Sequence, residues 1–430
     1  MRIGIIGCGY VFDHYMNTMD RHPELEIVGV ADIDGARLAR VCDFYDLTSY
    51  PDVASLLADP QVETIVNLTS IEAHAEVTRA CLEAGKHVYS EKPFVTDMDE
   101  ARALVALADE KGLRLSCAPC NALSSTSQTM WKAVADGAIG EARMVYAEFD
   151  DNPIYLMSPE GWRSRSGAPW PYLHEYEMGC TWEHVGYHLT WMCAIFGPVR
   201  SVTAFSKMTL PDKTDQPLNP KETPDFSVAC LDFQSGVVGR VTCSIAAPYD
   251  HRMRIIGNEG MVHADTYRHY ECPVYLEPFT KLTMNARKAR SVRTNSLLQW
   301  MTGVNGRRVP MVPYGDSALT GPQKKGNLLA RFKRRQVGQQ DKTIGISEMG
   351  QAIAQNRPHF PSADFTLHLT ELTLAIQAAG PDGASTAINS QFDHATTAAH
   401  LREGVDYKDH AKPGWLARAS AGVLDRMHRH

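Results

Sequence analysis

Residues 2–12 read RIGIIGCGYVF, an apolar run that leads through Gly7-Cys8-Gly9 into the start of a helical pattern. A strand, a glycine turn and a helix in immediate succession are typical of the first unit of a parallel, doubly wound sheet. In such a unit Gly7 permits the tight turn and Gly9 lets the backbone approach a pyrophosphate. The following helix begins at Tyr10 or Val11 and offers free N–H groups and a partial positive charge. We therefore expect these four residues to hold the phosphates of a dinucleotide.

Two further positions bear on this interpretation. Phe12 replaces the third glycine of the dinucleotide fingerprint, and its bulk requires a pocket of its own. Asp32 ends the second β-rich run, 23 residues after Gly9. A carboxylate there accepts hydrogen bonds from the adenosine ribose and repels a 2′-phosphate, so that NAD is favoured over NADP. The alternative is that Asp32 caps the next helix, a role that Asp34 can also fill.

The chain changes character after about residue 122. Before it, strands are predicted at 2–7, 26–31, 63–68, 87–89 and 113–118, with helices at 73–84 and 97–111. After it, one helix at 126–136 leads into successive strands at 142–149, 199–206, 226–233, 237–245 and 252–264. We therefore predict an α/β Rossmann domain with a doubly wound parallel sheet (1–122) and a C-terminal α+β domain (123–380) with a large open, mainly antiparallel sheet.

Three helices and a tail complete the predicted organisation. A helix at 181–195 interrupts the second sheet, and helices at 346–355 and 365–378 are expected to cover one of its faces. Residues 381–430 are assigned to a C-terminal extension. A length of 430 residues and an apolar content of 44% agree with two globular domains.

Composition also excludes several classes of function. The net charge of -7 argues against nucleic acid as the main partner, and no apolar run is long enough for a transmembrane helix. Ten cysteines, mostly single and within apolar segments, indicate a reducing compartment, so a cytoplasmic location is expected. For the one close pair, Cys117 and Cys120, buried packing is the favoured interpretation, and a redox or metal role is the alternative.

A basic insertion at 281–340 interrupts the second domain. Residues 281–335 contain about a dozen more Lys and Arg than Asp and Glu. A solvated excursion is the plainer interpretation. The alternatives are a basic lobe for a phosphorylated or acidic glycan substrate, or for an anionic membrane surface.

The run Ser90-Glu91-Lys92-Pro93 follows a short strand and a helix that ends in Glu83-Ala84-Gly85-Lys86. In this context the sequence resembles the Gfo/Idh/MocA oxidoreductases, the glucose–fructose oxidoreductase and inositol dehydrogenase family. The resemblance covers nearly the whole chain. It extends to the glycine turn, Asp32, His74, Ala138-Ile139-Gly140, Gly257-Asn258-Glu259-Gly260, a late helix at 345–354 and Arg357-Pro358-His359.

The resemblance implies roles for several residues. It places Thr69, His74, Glu91 and Lys92 around the cofactor, with Lys92 beside the nicotinamide and the reacting hydroxyl. We expect the pKa of Lys92 to fall toward neutrality there, so that it relays a proton. The alternative for Lys92 is an ordinary surface salt bridge with Glu91. The resemblance also implies a homodimer or homotetramer that pairs through the open sheet.

A second family signature, Gly-Gly-x-x-x-Asp-x-Gly-x-His, aligns with residues 179–188. His188 falls on the family's catalytic histidine, whereas His184 replaces the aspartate. Because the two histidines are four residues apart, we expect both to project into one site, His188 for proton transfer and His184 for substrate binding or tuning. Glu183 is expected to point elsewhere. A zinc site that uses this pair, with His174, Glu177 or Cys180 as third ligand, is an alternative, but no metal is predicted.

The substrate side is less defined. Gly161-Trp162-Arg163 resembles a Trp-Arg element of the family, so Trp162 and Arg163 are expected to line a polyol site, with the insertion at 167–176 at its mouth. The run Asn121-Ala122-Leu123 lacks the arginine that the family often has after the strand that links the domains. The sequence thus predicts NAD-dependent hydride transfer to or from a carbinol carbon of a sugar, polyol or nucleotide sugar. The alternatives are a redox-neutral lyase or hydrolase with tightly held NAD, and a non-catalytic NAD-binding protein.

Overall fold

The computed structural model describes residues 1–266, 270–313 and 340–412. Its first sheet is parallel, with strand order β2-β1-β3-β4-β5. The strands are β1 (Arg2–Ile6), β2 (Glu26–Ala31), β3 (Thr64–Asn67), β4 (His87–Ser90) and β5 (Leu115–Cys117). The predicted doubly wound sheet is therefore confirmed, and each strand lies within two residues of its expected bounds.

Helices cover both faces of this sheet. They span Phe12–Met19, Gly35–Tyr45, Val53–Ala58, His74–Glu83 and Met98–Glu110. Successive side chains along a strand point to opposite faces of the sheet, so each face has its own hydrophobic layer. Ile3 and Ile5 pack with Phe12 on one face, and Ile65 packs with Leu104 on the other. Phe12 is fully buried, so the bulky residue has the pocket that its size requires.

The second sheet has nine strands in the order β13-β12-β11-β10-β6-β9-β8-β7-β14. Its pairings are antiparallel except for β6 with β9. The strands are β6 (Ala142–Asp150), β7 (Val199–Lys207), β8 (Phe226–Phe233), β9 (Val238–Ser244), β10 (Met253–Gly257), β11 (Gly260–Ala264), β12 (Val274–Pro278), β13 (Arg307–Arg308) and β14 (Ala384–Ala387). The single strand predicted at 252–264 is two strands, because Asn258 and Glu259 form a tight turn between them.

Helices pack on one face of this sheet. The helices of the domain span Ser125–Ala135, Tyr172–Met178, Gly186–Phe196, Lys281–Ala286, Arg290–Arg293, Ser296–Thr302, Ala363–Gln377, His394–Ala398 and Tyr407–His410. Ten consecutive residues of Gly186–Phe196, from Tyr187 onward, are buried, so this helix is enclosed on all sides. Within the described ranges, no helix is both long and apolar enough to cross a bilayer.

The late helix Ile344–Ala354 packs on the parallel sheet, so the prediction that it covers the second sheet was wrong. Its residues Ile346 and Met349 are buried in the cluster that contains Ile3 and Ile5. Gly345 allows this close approach, because a β-carbon there would lie 2.5 Å from the Tyr89 hydroxyl. Apolar periodicity indicates a buried helix face but not which sheet that face meets.

The C-terminal extension is partly integrated into the second domain. β14 forms an edge strand against β7, and Tyr407 is fully buried in the core of this domain. Residues 413–430 of the extension and 314–339 of the basic insertion lie outside the described residues.

Candidate active site

The glycine turn after β1 has the geometry of a nucleotide cradle. Gly7 has a φ of +95°, and a β-carbon there would lie 2.5 Å from the Leu68 carbonyl oxygen. A β-carbon at Gly9 would meet nothing within 4 Å, so the backbone there is open to a ligand. Val11 precedes the helix Phe12–Met19 without a side-chain cap. The turn and the uncapped helix N-terminus fit the phosphates of a dinucleotide, as the sequence predicts.

Asp32 lies directly beside this turn. One carboxylate oxygen accepts the Cys8 backbone N–H at 2.6 Å, and the other accepts the Asp34 N–H at 2.7 Å. Arg37 lies 3.5 Å from Asp32 and 3.2 Å from Asp34. Asp34 caps the next helix through the N–H groups of Ala36 and Arg37, so Asp32 is not needed as its cap. The carboxylate fits a role in binding the adenosine ribose.

His74 connects two loops at the edge of the parallel sheet. Its Nδ1 lies 2.7 Å from the Pro93 carbonyl oxygen and its Nε2 lies 3.2 Å from that of Thr69. Thr69 in turn donates its hydroxyl to Asn67 at 2.7 Å. Burial lowers the pKa of His74, so the ring is neutral. A neutral ring has a single N–H and donates to one of these two carbonyl groups, so His74 lies between the Thr69 loop and the Glu91-Lys92-Pro93 turn and bonds one of them at a time.

Glu91 is a buried carboxylate with three donors. Its Oε1 accepts Lys342 Nζ at 2.6 Å and the Tyr15 hydroxyl at 3.0 Å, and its Oε2 accepts the Lys92 backbone N–H at 2.8 Å. Burial raises the pKa of Glu91, but the charges of Lys342 and Lys92 outweigh it and lower the pKa to about 2. Glu91 is therefore ionised and fixes the backbone of the turn that carries Lys92.

Lys342 is a component of the site that the sequence did not indicate. Lys342 lies 251 residues after Glu91, just beyond the basic insertion. The residues on either side of it are held by hydrogen bonds. Asp341 is within 2.9 Å of His22, and Thr343 donates to the Tyr15 carbonyl at 3.0 Å. A single lysine in a basic stretch carries no pattern that distinguishes it from a solvated one.

Lys92 forms an ion pair with Glu183, across the two domains. Burial lowers the pKa of Lys92, but its electrostatic interactions with Glu183, Tyr187 and Glu91 outweigh burial and raise the pKa above its usual value. The expected fall toward neutrality was therefore wrong for the surroundings that this chain provides. Lys92 is an ammonium group at neutral pH, suited to donate a hydrogen bond to an oxygen on which negative charge develops.

The helix at the second signature is irregular, and this corrects the expected position of Glu183. Residues Thr181–Val185 form a π-helical turn that continues into the helix Gly186–Phe196. A π-turn contains an extra residue and rotates the side chains within it. Glu183 consequently faces Lys92, one residue before the position of the family aspartate, so the site retains a carboxylate.

The two signature histidines share one aromatic neighbour. His184 stacks on Phe149 with centroids 4.4 Å apart, and His188 meets the same ring edge-on at 5.9 Å. They therefore do project to one side, as the spacing of four residues predicts. His184 Nε2 lies 2.5 Å from Glu175, whose side chain is also buried.

His188 is a weak base in this environment. It is fully buried, and burial lowers its pKa to about 3. Tyr187, by contrast, interacts electrostatically with both Lys92 and Lys342. Asn121 supports this arrangement, since its amide donates to the Tyr187 carbonyl at 3.0 Å. Within the helix Gly186–Phe196, Tyr187 is thus a residue that interacts with both lysines, and its position was not indicated by the sequence.

The segment before the signature, residues 160–176, contacts the first domain. Trp162 packs on Trp170 at 4.8 Å, and Arg163 is exposed and donates to the Glu160 carbonyl at 2.8 Å. Both side chains thus have partners within residues 160–170. Beyond them, Ser166 donates its hydroxyl to Asp13 of the helix Phe12–Met19 at 2.8 Å. The loop therefore bridges the substrate domain and the nucleotide end of the site.

The described part of the chain contains neither a group of side chains arranged to bind a metal ion nor a reactive pair of cysteines. No group of three or more His, Cys, Asp or Glu side chains there is arranged to hold a metal ion. His174 lies 2.5 Å from Glu72 of the first domain. Cys117 and Cys120 are free and buried, and burial raises the pKa of both thiols. Such thiols are poor nucleophiles.

Comparison with known proteins identifies the family. The model of an oxidoreductase family with an NAD-binding Rossmann fold matches residues 1–118, and that of the GFO/IDH/MocA C-terminal domain matches 127–263. The trans-1,2-dihydrobenzene-1,2-diol dehydrogenase of Bos taurus is 26% identical over 61% of this chain and 73% of its own. The inositol 2-dehydrogenase/D-chiro-inositol 3-dehydrogenase of Lactiplantibacillus plantarum is 25% identical over 62% of this chain and 71% of its own.

Solved structures share the fold. An NAD binding oxidoreductase from Klebsiella pneumoniae superposes with a TM-score of 0.69 and 19% identity over 91% of this chain and 99% of its own. The parallel Rossmann sheet, the second sheet and the matches to both family models all indicate one oxidoreductase family. The chain belongs to the Gfo/Idh/MocA family of oxidoreductases.

Proposed function

We propose that this protein is an NAD-dependent oxidoreductase that moves a hydride between the nicotinamide and a carbinol or keto carbon of a sugar, polyol or nucleotide sugar. The observation that carries the proposal is the ion pair of Lys92 with Glu183 at the carboxyl end of β4. The glycine turn and Asp32 lie at the carboxyl ends of β1 and β2 in the same sheet. Ligands of open α/β sheets bind along this edge.

We assign cofactor binding and stabilisation of the reacting oxygen to different residues of the chain. NAD bound over the glycine turn supplies the hydride acceptor or donor. Gly7 and Gly9 bind the phosphates, and Asp32 orients the adenosine ribose. Lys92 donates a hydrogen bond to the reacting oxygen and stabilises the negative charge that develops on it. Glu91 holds the backbone of Lys92 in place through the bond to its N–H.

Oxidation of a carbinol releases the hydroxyl proton, and this proton needs an acceptor. We assign it to Glu183, because its carboxylate is the direct partner of Lys92. As Lys92 passes one proton to Glu183 and takes another from the hydroxyl, its own charge is restored. His188 is the competing candidate on the family signature, but a pKa of about 3 makes it a weak acceptor at neutral pH.

The substrate class rests on the relatives. The names of the two relatives described above refer to ring compounds with hydroxyl groups on neighbouring carbons. A second hydroxyl gives the site an additional hydrogen-bonding group with which to orient the ring. Tyr187 and His184 are the side chains that we assign to this contact, since His184 follows Glu183 in the π-turn and Tyr187 lies in the first turn of the helix after it.

The test is a titration of the purified protein with NAD+ and NADP+, followed by the NADH absorbance band across a panel of cyclic polyols, sugars and sugar nucleotides. We expect NAD+ binding and substrate-dependent NADH formation that is lost in Lys92→Ala. Tight NAD+ binding with product formation but no net NADH would instead indicate the redox-neutral lyase. Binding without any turnover would indicate a non-catalytic NAD-binding protein, and absence of binding would refute the proposal.

A further inference from the structure

The first part of the basic insertion is an ordered structure on the edge of the second sheet. We call residues 281–308 the basic lobe. It consists of the helices Lys281–Ala286, Arg290–Arg293 and Ser296–Thr302 and of β13, which pairs with β12. Glu277 of β12, which is 1% exposed, accepts the Asn305 backbone N–H at 2.9 Å and pairs with Arg287. A buried carboxylate thus attaches the lobe to the sheet.

The charge of the lobe is entirely positive. It contains seven Lys or Arg residues and no Asp or Glu, in a chain whose net charge is -7. All seven are exposed: Lys281, Arg287, Lys288, Arg290, Arg293, Arg307 and Arg308. Among the described residues, no carboxylate lies within ion-pair distance of the last five of these. A patch of unpaired cations creates a positive potential and attracts an anionic partner.

The lobe also presents large apolar side chains to solvent. Leu297, Trp300 and Met301 are 61%, 68% and 44% exposed. Their spacing of three and four residues places them on one face of the helix Ser296–Thr302. Met284 of the neighbouring helix is also 52% exposed. Exposed apolar residues scattered singly are ordinary, but four within one cationic segment mark an interaction surface.

The combination of exposed cations with exposed apolar side chains favours one class of anionic partner over the others. Leu297 and Met301 have no polar group with which to bind phosphates, whereas a bilayer interface takes up protruding aliphatic side chains and is the preferred environment of Trp. Basic residues around such a face interact with anionic headgroups. We propose that the basic lobe binds the surface of a bilayer that contains anionic phospholipid, with Trp300 and Leu297 inserted at the headgroup level. The inference goes beyond the proposed oxidoreductase function and does not depend on it.

Co-sedimentation of the full chain with vesicles tests the proposal. The vesicles are phosphatidylcholine alone or an equal mixture of phosphatidylcholine and phosphatidylglycerol. We expect binding to the mixed vesicles that weakens as salt rises, and at least ~10-fold weaker binding to phosphatidylcholine alone. Replacement of two cations, in Arg290→Ser with Arg293→Ser, is expected to weaken binding ~10-fold or more. A blue shift of the tryptophan fluorescence on binding, absent in Trp300→Phe, would place this residue in the interface.

Leu297→Ala and Leu156→Ala form a matched pair, since the two leucines are 61% and 69% exposed and Leu156 lies outside the lobe. We expect only Leu297→Ala to weaken vesicle binding, by several-fold. Equal effects of the two variants, or no binding to the mixed vesicles at low salt, would overturn the proposal. So would a change of oligomeric size in Trp300→Ala without lipid, because the face would then join copies of this chain. Binding to an oligonucleotide but not to vesicles would assign the lobe to nucleic acid instead.

Discussion

The two ends of the candidate site are built in different ways. The nucleotide end consists of the glycine turn and Asp32, all within the first 32 residues of the chain, and the backbone forms much of it. The hydride end consists of Lys92, Glu183 and Lys342, from three distant segments, and charged side chains form nearly all of it. The first end depends on local chain geometry, whereas the second depends on how the two domains meet.

This difference has a consequence for mutation. Buried charges are coupled through short distances in a poorly polarisable interior, so removal of one alters the others. A backbone cradle lacks such coupling. We therefore expect variants of the hydride end to change turnover or stability strongly while nucleotide binding persists, and variants of the nucleotide end to change affinity alone.

Replacement of Lys92 should separate the two ends most clearly. In Lys92→Met the donor to the reacting oxygen is lost, and we expect kcat to fall by ~10³-fold or more. The Kd for NAD+ should change little, because the glycine turn and Asp32 are intact. Steady-state kinetics and isothermal titration calorimetry measure the two quantities. A parallel loss of NAD+ binding would show that the ends are not independent.

The ion pair of Lys342 with Glu91 predicts a pH-dependent stability. The pKa of Glu91 is about 2 in the folded chain against an ordinary value of 4.5, so its contribution is complete above pH ~4.5 and is lost as pH falls through about 2. Lys342→Met leaves the buried carboxylate without this cation, and we expect the free energy of unfolding at neutral pH to fall by about 3 kcal/mol. In Lys342→Met, the loss of stability with falling pH should also begin at a higher pH than in the wild type.

Urea unfolding at a series of pH values measures this effect, and Lys342→Arg is the control that retains the charge. Superimposable pH profiles of the wild type and Lys342→Met would contradict the role of Lys342. A turnover profile on the same variants adds a second measurement, since a shifted Lys92 turn would lower kcat as well as stability.

Much of the nucleotide end could be predicted from the sequence because its pattern is short-range. The order of strand, glycine turn and helix determines where Gly7 lies, and Asp32 follows from the end of the next strand. The hydride end could be predicted only in part. Lys92 was identified from its motif, but the pairing of Glu183 depends on a π-turn, and the helix pattern at residues 181–195 predicts regular geometry instead. The position of Lys342 beside Glu91 depends on a contact between segments 251 residues apart, and no local sequence pattern indicates such a contact.

The π-turn leads to a direct comparison of Glu183 with His188. In Glu183→Gln the proton acceptor is lost while the shape is kept, and we expect kcat to fall by ~10²-fold. His188→Asn should lower kcat by less than 10-fold, since a buried imidazole with a pKa of about 3 contributes little as a base. The reverse order of effects would restore the family's histidine to the catalytic role.

His188 should instead affect stability in acid. Its pKa is about 3 in the folded chain against an ordinary 6.5, so the unfolded chain binds the proton more tightly, and stability is lost as pH falls from ~6.5 toward about 3. In His188→Asn this part of the pH dependence should disappear. Urea unfolding between those pH values measures it alongside kcat.

At the other end of the site, variants are expected to change the choice of nucleotide rather than turnover. Asp32 repels a 2′-phosphate, whereas Arg37, 3.5 Å away, would attract one. In Asp32→Ala we expect the Kd for NAD+ to rise by ~10-fold and that for NADP+ to fall, with kcat for NAD+ at saturation changed less than 3-fold. Arg37→Ala is the matched control and should weaken NADP+ binding while it leaves NAD+ nearly unchanged. Titration of both variants with both nucleotides decides the point. If the wild type prefers NADP+, then Arg37 outweighs Asp32, and the side chains after β2 control the preference even though the backbone controls the binding.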